Sequence, residues 1–405
     1  MRHRPRQASR NSPVPLFFIA VIFLYLILNL FSYFFQENIQ VGTLNKVERL
    51  TKDNLLIQSP VTVKILTATN SSNEDSCSKD PCLCAPRLIN NPEFEMLKDY
   101  CEYEALNLDH LIPRQSKSLY CFIIILETDR GVLVDGWLNT FIKSLDKYYP
   151  FQADIMALHE GMSELQLAML QRVTHRRVIF VNVKEWFTAT EVQKSITFLD
   201  TCNHGMGYRL MCRFASGPIY WLEELKAYDY IIRMDDDSRF TKNVTQDLVK
   251  IAEDLDAIYG YAVVGLDVFS CYSGAGPWLE RWVKTTNHSA LGRPLIPFRP
   301  NKKFHSKGYL RYMSPFIYNS NFEIVKLDYF RHQHYRTFWK SLDESDLFIS
   351  IRLGDHEVKT IYLSLFLPEH SLVCFSNLPY SHPHLVPCSN RGLIFGRSYL
   401  LPSKS

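Results

Sequence analysis

The sequence predicts an α/β domain with a largely parallel, covered sheet that lies behind a single membrane-spanning helix. Short apolar runs such as "LYCFIIIL", "RVIFVNV" and "YDYIIRM" recur along the chain, separated by helical or polar stretches. Strands that are buried on both faces read as continuous apolar runs of this kind, and helices between them favour a parallel sheet. The membrane helix is predicted from Leu16–Phe35, which carries no charge.

The N-terminal stretch Leu16–Phe35 is long enough to cross a bilayer as a helix. Four arginines precede it and Glu37 follows it, so the positive-inside bias predicts a cytosolic tail (1–15) and a lumenal remainder. A cleaved signal peptide is the competing interpretation, but the stretch exceeds a usual h-region and no clear small-residue cleavage site follows it. We therefore expect an uncleaved signal anchor of a type II membrane protein.

Composition and cysteine content limit the classes of protein. The chain has 405 residues, 46% of them hydrophobic, which is enough for one large core or two small ones. Its net charge of +3 is too small to imply nucleic acid as the main partner. All ten cysteines lie in the part predicted to be lumenal, where disulfides persist, and the spacing around Cys82 and Cys84 matches no standard zinc pattern. Three N-glycosylation sequons agree with this compartment, beginning at Asn70, Asn243 and Asn287.

Past the anchor the sequence divides in two. From residue 36 to about 116 it is polar, with "TATNSSNEDSCSKDPC" at its centre, and predicts a stem followed by a small Cys-containing segment. The lumenal domain is expected from 117 to 405. It begins with the strand "LYCFIIIL" and a helix, because apolar residues then recur every three to four positions, at Leu133, Trp137, Phe141, Leu145 and Tyr148.

Four more apolar runs predict further strands, namely "ADIMAL", "RVIFVNV", "YDYIIRM" and "AVVGL". Between Thr285 and Arg311, the Pro-rich and basic stretch "GRPLIPFRPNKKFHSKG" predicts a long surface loop. Loops of this length in a compact domain are usually functional or mobile.

Three consecutive acids, Asp235, Asp236 and Asp237, follow the strand "YDYIIRM". The alternation of a strand would place Asp235 and Asp237 on one side, and ligands of open α/β sheets bind beyond the carboxyl ends of strands. Carboxylates suit Mn²⁺ or Mg²⁺, which commonly bridges protein acids and a substrate diphosphate. A solvated acidic turn is the alternative. An Asp-x-Asp pair in a lumenal domain behind a type II anchor resembles the signature of Golgi glycosyltransferases with the GT-A fold.

Four motifs, in the same order, resemble the fungal family of glycolipid 2-alpha-mannosyltransferases, α-1,2-mannosyltransferases that build O-linked and N-linked mannans. "GYRLMCRFASG" (207–217) resembles the family's "SYRHMCRFxSG", and "YNSNFEIVKLDYFR" (318–331) resembles "FWSNFEIADLDFFR". "GDHEVKTIYLSLFL" (354–367) resembles "GDAPVHSIAASLFL", and "PYSHPHLVPC" (379–388) resembles "GYxHxPxxxCP". The resemblance covers roughly residues 119–388.

The chain departs from the family pattern at three places. The acids at 235–237 stand where the family has Glu-Pro-Asp or Glu-Pro-Asn, Lys359 stands where it has a histidine, and Pro379 stands where it has a glycine. These differences concern the choice of acceptor and, to a lesser degree, the choice of donor.

The resemblance implies a GT-A-like fold with a mixed, mostly parallel central sheet, and a Golgi α-1,2-mannosyltransferase. Such an enzyme would transfer mannose from GDP-mannose to a mannose-bearing glycan or glycoprotein, with retention at the anomeric carbon, in protein glycosylation. It would hold Mn²⁺ (or Mg²⁺) with Asp235, Asp237 and His382, and the anchor would tie it to the Golgi membrane. Two other functions stay open: a GT-A transferase for another nucleotide sugar, and a catalytically inactive, membrane-anchored glycan-binding protein.

The resemblance also assigns a catalytic role to Glu323, as a nucleophile or as the carboxylate that stabilises a developing oxocarbenium ion. Its neighbours Phe322 and Ile324 are apolar, so Glu323 is expected on the opposite face, in the cleft. The alternative is a structural ion pair with a nearby base such as Lys326 or Arg331.

Three further residues are candidate substrate ligands. Tyr208 and Arg213 could offer a hydroxyl and a guanidinium to the nucleotide sugar. Pairing of Arg213 with a core acid agrees equally well with the sequence. Asp355 could contact an acceptor hydroxyl, but it precedes a helical apolar pattern and is expected to be the N-cap of that helix.

Overall fold

The computed structural model describes residues 63–64, 105–126, 133–190, 202, 204–286, 316–382, 397–399 and 401. The predicted tail, the anchor Leu16–Phe35, most of the stem and the Pro-rich loop lie outside these residues, as do Asn70 and Asn287. Within the described ranges, no helix has the length and apolar character that a membrane crossing requires. Asn243, in the second sequon, is exposed.

A nine-stranded sheet, counted over the described residues, forms the centre of the domain. The strands, in chain order, are β1 (Val63–Lys64), β2 (Tyr120–Ile125), β3 (Asp154–His159), β4 (Val178–Asn182), β5 (Tyr230–Met234), β6 (Arg239–Phe240), β7 (Tyr259–Tyr261), β8 (Val264–Leu266), β9 (Phe316–Tyr318), β10 (Phe322–Lys326), β11 (Leu372–Phe375), β12 (Tyr380–Ser381) and β13 (Arg397–Tyr399). The large sheet has the order β1-β4-β3-β2-β5-β10-β7-β11-β13, while β12 pairs with β6 and β8 pairs with β9.

The large sheet is mixed and mostly parallel, which confirms the prediction. Strands β4, β3, β2 and β5 are parallel neighbours, and β7, β11 and β13 form a second parallel group. Strand β10 lies between the two groups and is antiparallel to both of its neighbours. Because β10 pairs with β5, the motif that contains Glu323 lies beside the strand that leads into the three acids.

One predicted strand does not join the large sheet. The run "AVVGL" forms β8, which pairs antiparallel with β9. Two residues separate β7 from β8 and three separate β9 from β10, so the antiparallel β7–β10 pair continues into the β8–β9 pair outside the sheet. An apolar run predicts a strand but does not specify which strand it pairs with.

Helices flank the sheet. The α-helices are α1 (Lys143–Tyr148), α2 (Glu164–Arg172), α3 (Met206–Ala215), α4 (Leu248–Asp254), α5 (Phe269–Tyr272), α6 (Gly276–Thr285), α7 (Leu327–Arg331), α8 (Gln333–Asp343), α9 (Leu347–Ser350) and α10 (Asp355–Phe366). Short 3₁₀ turns span Lys184–Phe187, Pro218–Trp221, Glu223–Ala227, Ser273–Ala275 and Glu369–Ser371. A π-helix (Leu133–Ile142) leads directly into α1, which confirms the helix predicted after the first strand of the domain.

The sheet is buried on both faces, as its apolar runs predict. Cys121 and Ile123 of β2 belong to one apolar cluster, and Phe122 and Ile124 belong to another. Because successive side chains of a strand point to opposite faces, the two clusters lie on opposite sides of the sheet.

Part of the segment predicted as stem packs on the domain. Ile112 forms a parallel bridge with Phe151, and the N–H groups of Gln115 and Ser116 donate to Asp247 Oδ2 at 2.9 and 3.1 Å. These contacts satisfy backbone donors that a free stem would leave to water.

A disulfide joins Cys202 to Cys271, which lie 69 residues apart in the chain. Cys374 is also disulfide-bonded, whereas Cys121 and Cys212 are free and buried. Disulfides of this kind persist in oxidising compartments, the kind of environment that the cysteine distribution predicts.

Candidate active site

The three acids follow β5 in a tight turn. Strand β5 ends at Met234, and the N–H of Ser238 donates to the carbonyl of Asp235 at 3.0 Å, which closes the turn. The turn, rather than the predicted alternation along a strand, brings Asp237 beside Asp235, because the strand ends before the acids begin. Asp235 is half-buried, and the Asp237 side chain is 50% exposed.

A short strand pair brings His382 to this turn. Strand β12 pairs with β6, which directly follows the acids, and the hydroxyls of Ser238 and Tyr380 share a hydrogen bond of 2.7 Å. His382 follows β12, and its Nε2 lies 3.0 Å from Asp237 Oδ1. One ligand atom from each of Asp235, Asp237 and His382 lies within 4.8 Å of the other two. The three residues predicted as metal ligands therefore converge.

The geometry of this group suits a cation. The amide of Asn321 donates to Asp235 Oδ2 at 2.5 Å and to His382 Nε2 at 2.9 Å. His382 Nε2 also lies 3.0 Å from Asp237 Oδ1, so an imidazole nitrogen and two carboxylates meet at one point. Neutral imidazole beside carboxylates is a reasonable donor set for Mn²⁺.

Asn321 was not singled out from the sequence, although it lies in the quoted motif "YNSNFE". Its backbone carbonyl also accepts the N–H of Asp235 at 3.1 Å, so both its backbone and its amide hold the acidic turn. The sequence signal for Asn321 is that it is a polar residue two positions before Glu323. Its partners His382 and Asp235 lie 61 and 86 positions away, so the sequence does not show that they meet.

Replacing Asn321 by alanine is expected to weaken Mn²⁺ binding by about 10- to 100-fold, the usual cost of losing a residue that orients metal ligands. Calorimetric titration of the folded variant with Mn²⁺ measures this change. Asn377→Ala is the matched control, because the Asn377 amide bonds to the backbone of Leu401 instead. Equal affinity in wild type and Asn321→Ala would contradict the role assigned to Asn321.

Behind the acidic turn lies a buried network of charges. Arg233, on β5, donates to Asp235 Oδ1 at 3.2 Å, forms an ion pair with Asp355 and lies 3.7 Å from Glu323 Oε1. Burial lowers the pKa of Arg233, but the carboxylates of Asp355, Asp235 and Glu323 outweigh it and hold this pKa well above its usual value. Arg233 therefore stays charged and links the acidic turn to the two buried acids.

Glu323 lies within this network and is 0% exposed. Its Oε1 accepts from Lys359 Nζ at 2.7 Å, and its Oε2 accepts from the Tyr259 hydroxyl at 2.8 Å. The predicted alternation is confirmed, since Phe322 and Ile324 belong to the apolar cluster on the opposite face. Glu323 does not reach the surface on that face, because α10, which carries Lys359, covers it.

The basic partner of Glu323 is not one of those considered from the sequence. Lys326 pairs with Asp256 at 3.2 Å, and Arg331 donates to backbone carbonyls. Lys359 is 36 positions from Glu323, and the packing of α10 against β10 brings the two together.

Asp355 is not the predicted N-cap. Helix α10 begins at Asp355, its N-cap residue is Gly354, and no side chain caps this end. The buried carboxylate instead accepts from Lys359 Nζ at 3.0 Å and from the Ser320 hydroxyl at 2.8 Å, and it pairs with Arg233. Burial raises the pKa of Asp355, but Lys359 and Arg233 outweigh it and hold this pKa well below its usual value. Ion pairs with Lys359, one turn further along the same helix, and with Arg233 on β5 thus replace the expected local bond to backbone N–H groups.

Arg213 is engaged by the protein itself. Its Nε and Nη2 donate to the two carboxylate oxygens of Asp343 at 2.5 and 2.8 Å, and its guanidinium lies over the rings of Trp186 and Trp339. Such a bidentate pair uses the donor geometry that a phosphate would need. The structure favours the structural alternative for Arg213 over the predicted contact with substrate.

Tyr208 is half-buried on α3, and its ring stacks on that of His204 with centroids 4.2 Å apart. Burial, together with the nearby groups Cys212 and Asp355, raises the pKa of the Tyr208 hydroxyl. The hydroxyl therefore keeps its proton, and its hydrogen-bond partner in the protein is Cys212. A contact of Tyr208 with the nucleotide sugar stays a prediction.

A second charged group, which the sequence analysis missed, surrounds the start of α10. Asp267 pairs with Arg352, and His356 Nε2 lies 3.2 Å from Asp267 Oδ2 and 3.3 Å from Glu357 Oε1. Burial lowers the pKa of His356, but Glu357 and Asp267 outweigh it and raise this pKa to about 10. One ligand atom from each of Asp267, His356 and Glu357 lies within 4.8 Å of the other two. Arg352 pairs with Asp267 and lies 3.6 Å from Glu357 Oε1, and burial raises the pKa of Glu357 to about 7. This group needs no metal ion for charge balance.

Replacing His356 by glutamine is expected to remove a pH dependence of stability. The folded pKa of about 10 exceeds the ordinary value of 6.5, so the contribution of the charged imidazole is present below pH 6.5 and is lost as pH rises through about 10. The thermal midpoint should therefore fall more steeply over this window in wild type than in His356→Gln. The exposed His370 provides the control His370→Gln, which should follow wild type. Parallel curves for wild type and His356→Gln would contradict the ion pairing of His356.

A mixed sheet with paired acids beyond the carboxyl end of a central parallel strand is the arrangement of GT-A glycosyltransferases, and the described fold places the chain in that class. Its fold is similar to that of core-mannan synthase A (CmsA/Ktr4) from Aspergillus fumigatus, solved in an Mn/GDP form, with a TM-score of 0.57 and 22% identity, over 70% of this chain and 80% of that one. The mannosyltransferase Ktr4p from Saccharomyces cerevisiae gives a TM-score of 0.58 at 19% identity, over 76% and 87% of the two chains.

Residues 151–399 match the family described as glycolipid 2-alpha-mannosyltransferase, and the chain belongs to this family. O-glycoside alpha-1,2-mannosyltransferase homolog 2 of Schizosaccharomyces pombe is 30% identical over 192 residues, 46% of this chain and 49% of that protein. Glycolipid 2-alpha-mannosyltransferase of Saccharomyces cerevisiae is 28% identical over 185 residues, 45% of this chain and 40% of that protein. The chain spans about half the length of the curated relatives that it matches. The family predicted from four motifs is thereby confirmed.

Proposed function

We propose that this chain is a metal-dependent α-1,2-mannosyltransferase that transfers mannose from GDP-mannose to a mannose-bearing glycan, with retention at the anomeric carbon. The observation that carries the proposal is the convergence of Asp235, Asp237 and His382 beyond β5, in a member of this family. The Mn/GDP form of the Aspergillus structure supports a divalent cation and a guanosine diphosphate as the ligands of such a site.

Mn²⁺, or Mg²⁺ in its place, would supply a Lewis acid that neutralises the departing diphosphate. The chain itself contributes a positioned donor set: Asp235 and Asp237 are fixed by the turn after β5, and Asn321 orients Asp235 and His382. Arg233 contacts Asp235 Oδ1 at 3.2 Å and so helps to fix the orientation of this carboxylate. Holding the reacting groups in one geometry is the other main source of rate enhancement, since it removes an entropic cost from the chemical step.

The engagement of Glu323 bears on how retention is achieved. A nucleophile must advance toward the anomeric carbon, but both oxygens of Glu323 are hydrogen-bonded and the residue is 0% exposed. This arrangement favours a front-face departure, in which leaving group and acceptor share one side of the sugar, with Glu323 acting through its fixed charge.

The compartment is part of the same proposal. A Golgi membrane protein with its catalytic domain in the lumen would use Leu16–Phe35 as its anchor. The Cys202–Cys271 disulfide and the exposed sequon residue Asn243 support an oxidising, glycosylating compartment.

A transferase for another nucleotide sugar is the second candidate. It is favoured by the three consecutive aspartates at 235–237, where the family has Glu-Pro-Asp or Glu-Pro-Asn. The acidic motif expected to approach the nucleotide therefore differs in sequence from that of the family.

A donor panel decides between the two. The detergent-solubilised full chain is incubated with GDP-mannose, GDP-fucose, UDP-glucose or UDP-galactose, with and without Mn²⁺, and α-methyl mannoside as acceptor. We expect Mn²⁺-dependent transfer from GDP-mannose and an α-1,2-linked product with retained configuration by NMR. Transfer from another donor alone would replace the proposed substrate. Absence of turnover with every donor, in protein that binds Mn²⁺, would overturn the proposed enzymatic function.

A further inference from the structure

Lys359 is a charged residue in the interior of the protein. Its side chain is 0% exposed, and its Nζ lies 2.7 Å from Glu323 Oε1 and 3.0 Å from Asp355 Oδ2. It also lies over the ring of Tyr220, 5.8 Å from the ring centroid. Burying an ammonium group is costly unless it is paired, so its position depends on the two carboxylates.

Two buried acids and two buried cations meet around Lys359. Glu323 and Asp355 face Lys359 and Arg233, and all four side chains are at most 5% exposed. His356 Nδ1 also lies 3.7 Å from Asp355 Oδ1, but its Nε2 is engaged by Asp267 and Glu357 at 3.2 and 3.3 Å. The Glu323 charge raises the pKa values of Tyr220 and Tyr335, after burial itself, so these tyrosines stay neutral and add no further negative charge.

Removing the Lys359 charge would leave Arg233 as the cation that contacts all three acids, Glu323, Asp355 and Asp235. At present the two η nitrogens of Arg233 contact different acids, because Nη1 pairs with Asp355 and Nη2 pairs with Asp235. Without Lys359, the uncompensated Glu323 and Asp355 would draw the guanidinium inward, away from Asp235. Their ion pairs are buried and poorly screened, so this competition is strong.

We infer that Lys359 is a positioning residue for the transfer reaction: its ammonium holds Glu323 and Asp355 together, which leaves Arg233 to orient Asp235 in the metal-binding group. The inference rests on the proposed function. It assigns a consequence to the departure of this chain from the family motif, in which a histidine stands at this position. The long lysine side chain places its ammonium 2.7 Å from Glu323 Oε1 and 3.0 Å from Asp355 Oδ2.

The test compares Lys359→Met, which keeps most of the side-chain volume and removes the charge, with Lys359→His, whose imidazole would face the same two carboxylates. Rates with GDP-mannose at saturating Mn²⁺ are measured from pH 5.5 to 7.5 and divided by the wild-type rate at each pH. We expect Lys359→Met to lower kcat at least tenfold, with little change in the KM for donor. The ratio for Lys359→His should exceed that of Lys359→Met at least fivefold across this range, because two facing carboxylates favour the charged imidazole.

The matched control is Lys326→Met. Lys326 ends β10 and pairs with Asp256 at 3.2 Å, but its side chain is 36% exposed and that of Asp256 is 88% exposed. Surface pairs of this kind contribute little, so wild-type kcat is expected for Lys326→Met.

Equal ratios for Lys359→His and Lys359→Met would overturn the inference, because the loss would then follow the shape of the side chain and not its charge. If Lys359→Met does not fold, Lys359→Gln serves as the uncharged variant. The wild-type chain in the same assay separates this failure from failure of the proposed function. An active wild type with equal ratios for the two variants rejects the role of Lys359, whereas a wild type without turnover rejects the transferase itself.

Discussion

Asp237→Asn is expected to lose about 100-fold or more in kcat while the protein stays folded, on the scale of removing a key electrostatic contact from an active site. The amide keeps the shape of the carboxylate and removes its charge. Asp237 is 50% exposed and lies in a turn, so the change costs little stability. Initial rates over a range of Mn²⁺ concentrations, with a thermal melt of each protein, measure the two effects separately.

Asp236→Asn is the matched control for this change. Asp236 belongs to the same turn and loses the same charge, but it is not a member of the group formed with Asp235 and His382. We expect less than a tenfold effect for Asp236→Asn. Full turnover by Asp237→Asn at ordinary Mn²⁺ would remove Asp237 from the metal site.

Glu323→Gln is expected to lower kcat by about 100-fold or more with little change in donor affinity, because its charge acts on the transition state and on the groups that Arg233 positions. An amide cannot compensate Lys359 and Arg233, which lie 2.7 and 3.7 Å from Glu323 Oε1. Steady-state kinetics give kcat, and equilibrium binding of GDP-mannose gives the donor affinity directly.

Asp146→Asn tests whether the loss of any buried, paired acid has the same effect. Asp146 is 0% exposed and pairs with Arg176 at 2.7 Å, as Glu323 does with Lys359, but its partners belong to a different part of the domain. We expect Asp146→Asn to lower the thermal midpoint and to leave kcat unchanged per folded molecule. If folded Glu323→Gln also keeps its kcat, Glu323 is a structural residue and the catalytic group lies elsewhere.

Local patterns in the sequence determined the secondary structure and the family. The apolar runs at 120–125, 154–159, 178–182 and 230–234 became strands of the large sheet because both faces of this sheet are buried. The position of the acids after such a strand was enough to predict a converging group, since the carboxyl ends of parallel strands face one side of the sheet. Four motifs were enough to predict the family.

The partners of the charged side chains were decided by the tertiary structure. Asp355 was predicted as an N-cap from its local position, yet the N-cap residue is Gly354, and the Asp355 carboxylate bonds to Arg233, 122 positions away. Arg213 meets Asp343 across 130 positions, and Glu323 meets Lys359 across 36. Periodicity describes which face of its own element a side chain occupies, but not which element covers that face. Burial then makes the choice of partner decisive, because a charge removed from water must find its counter-charge within a few ångströms.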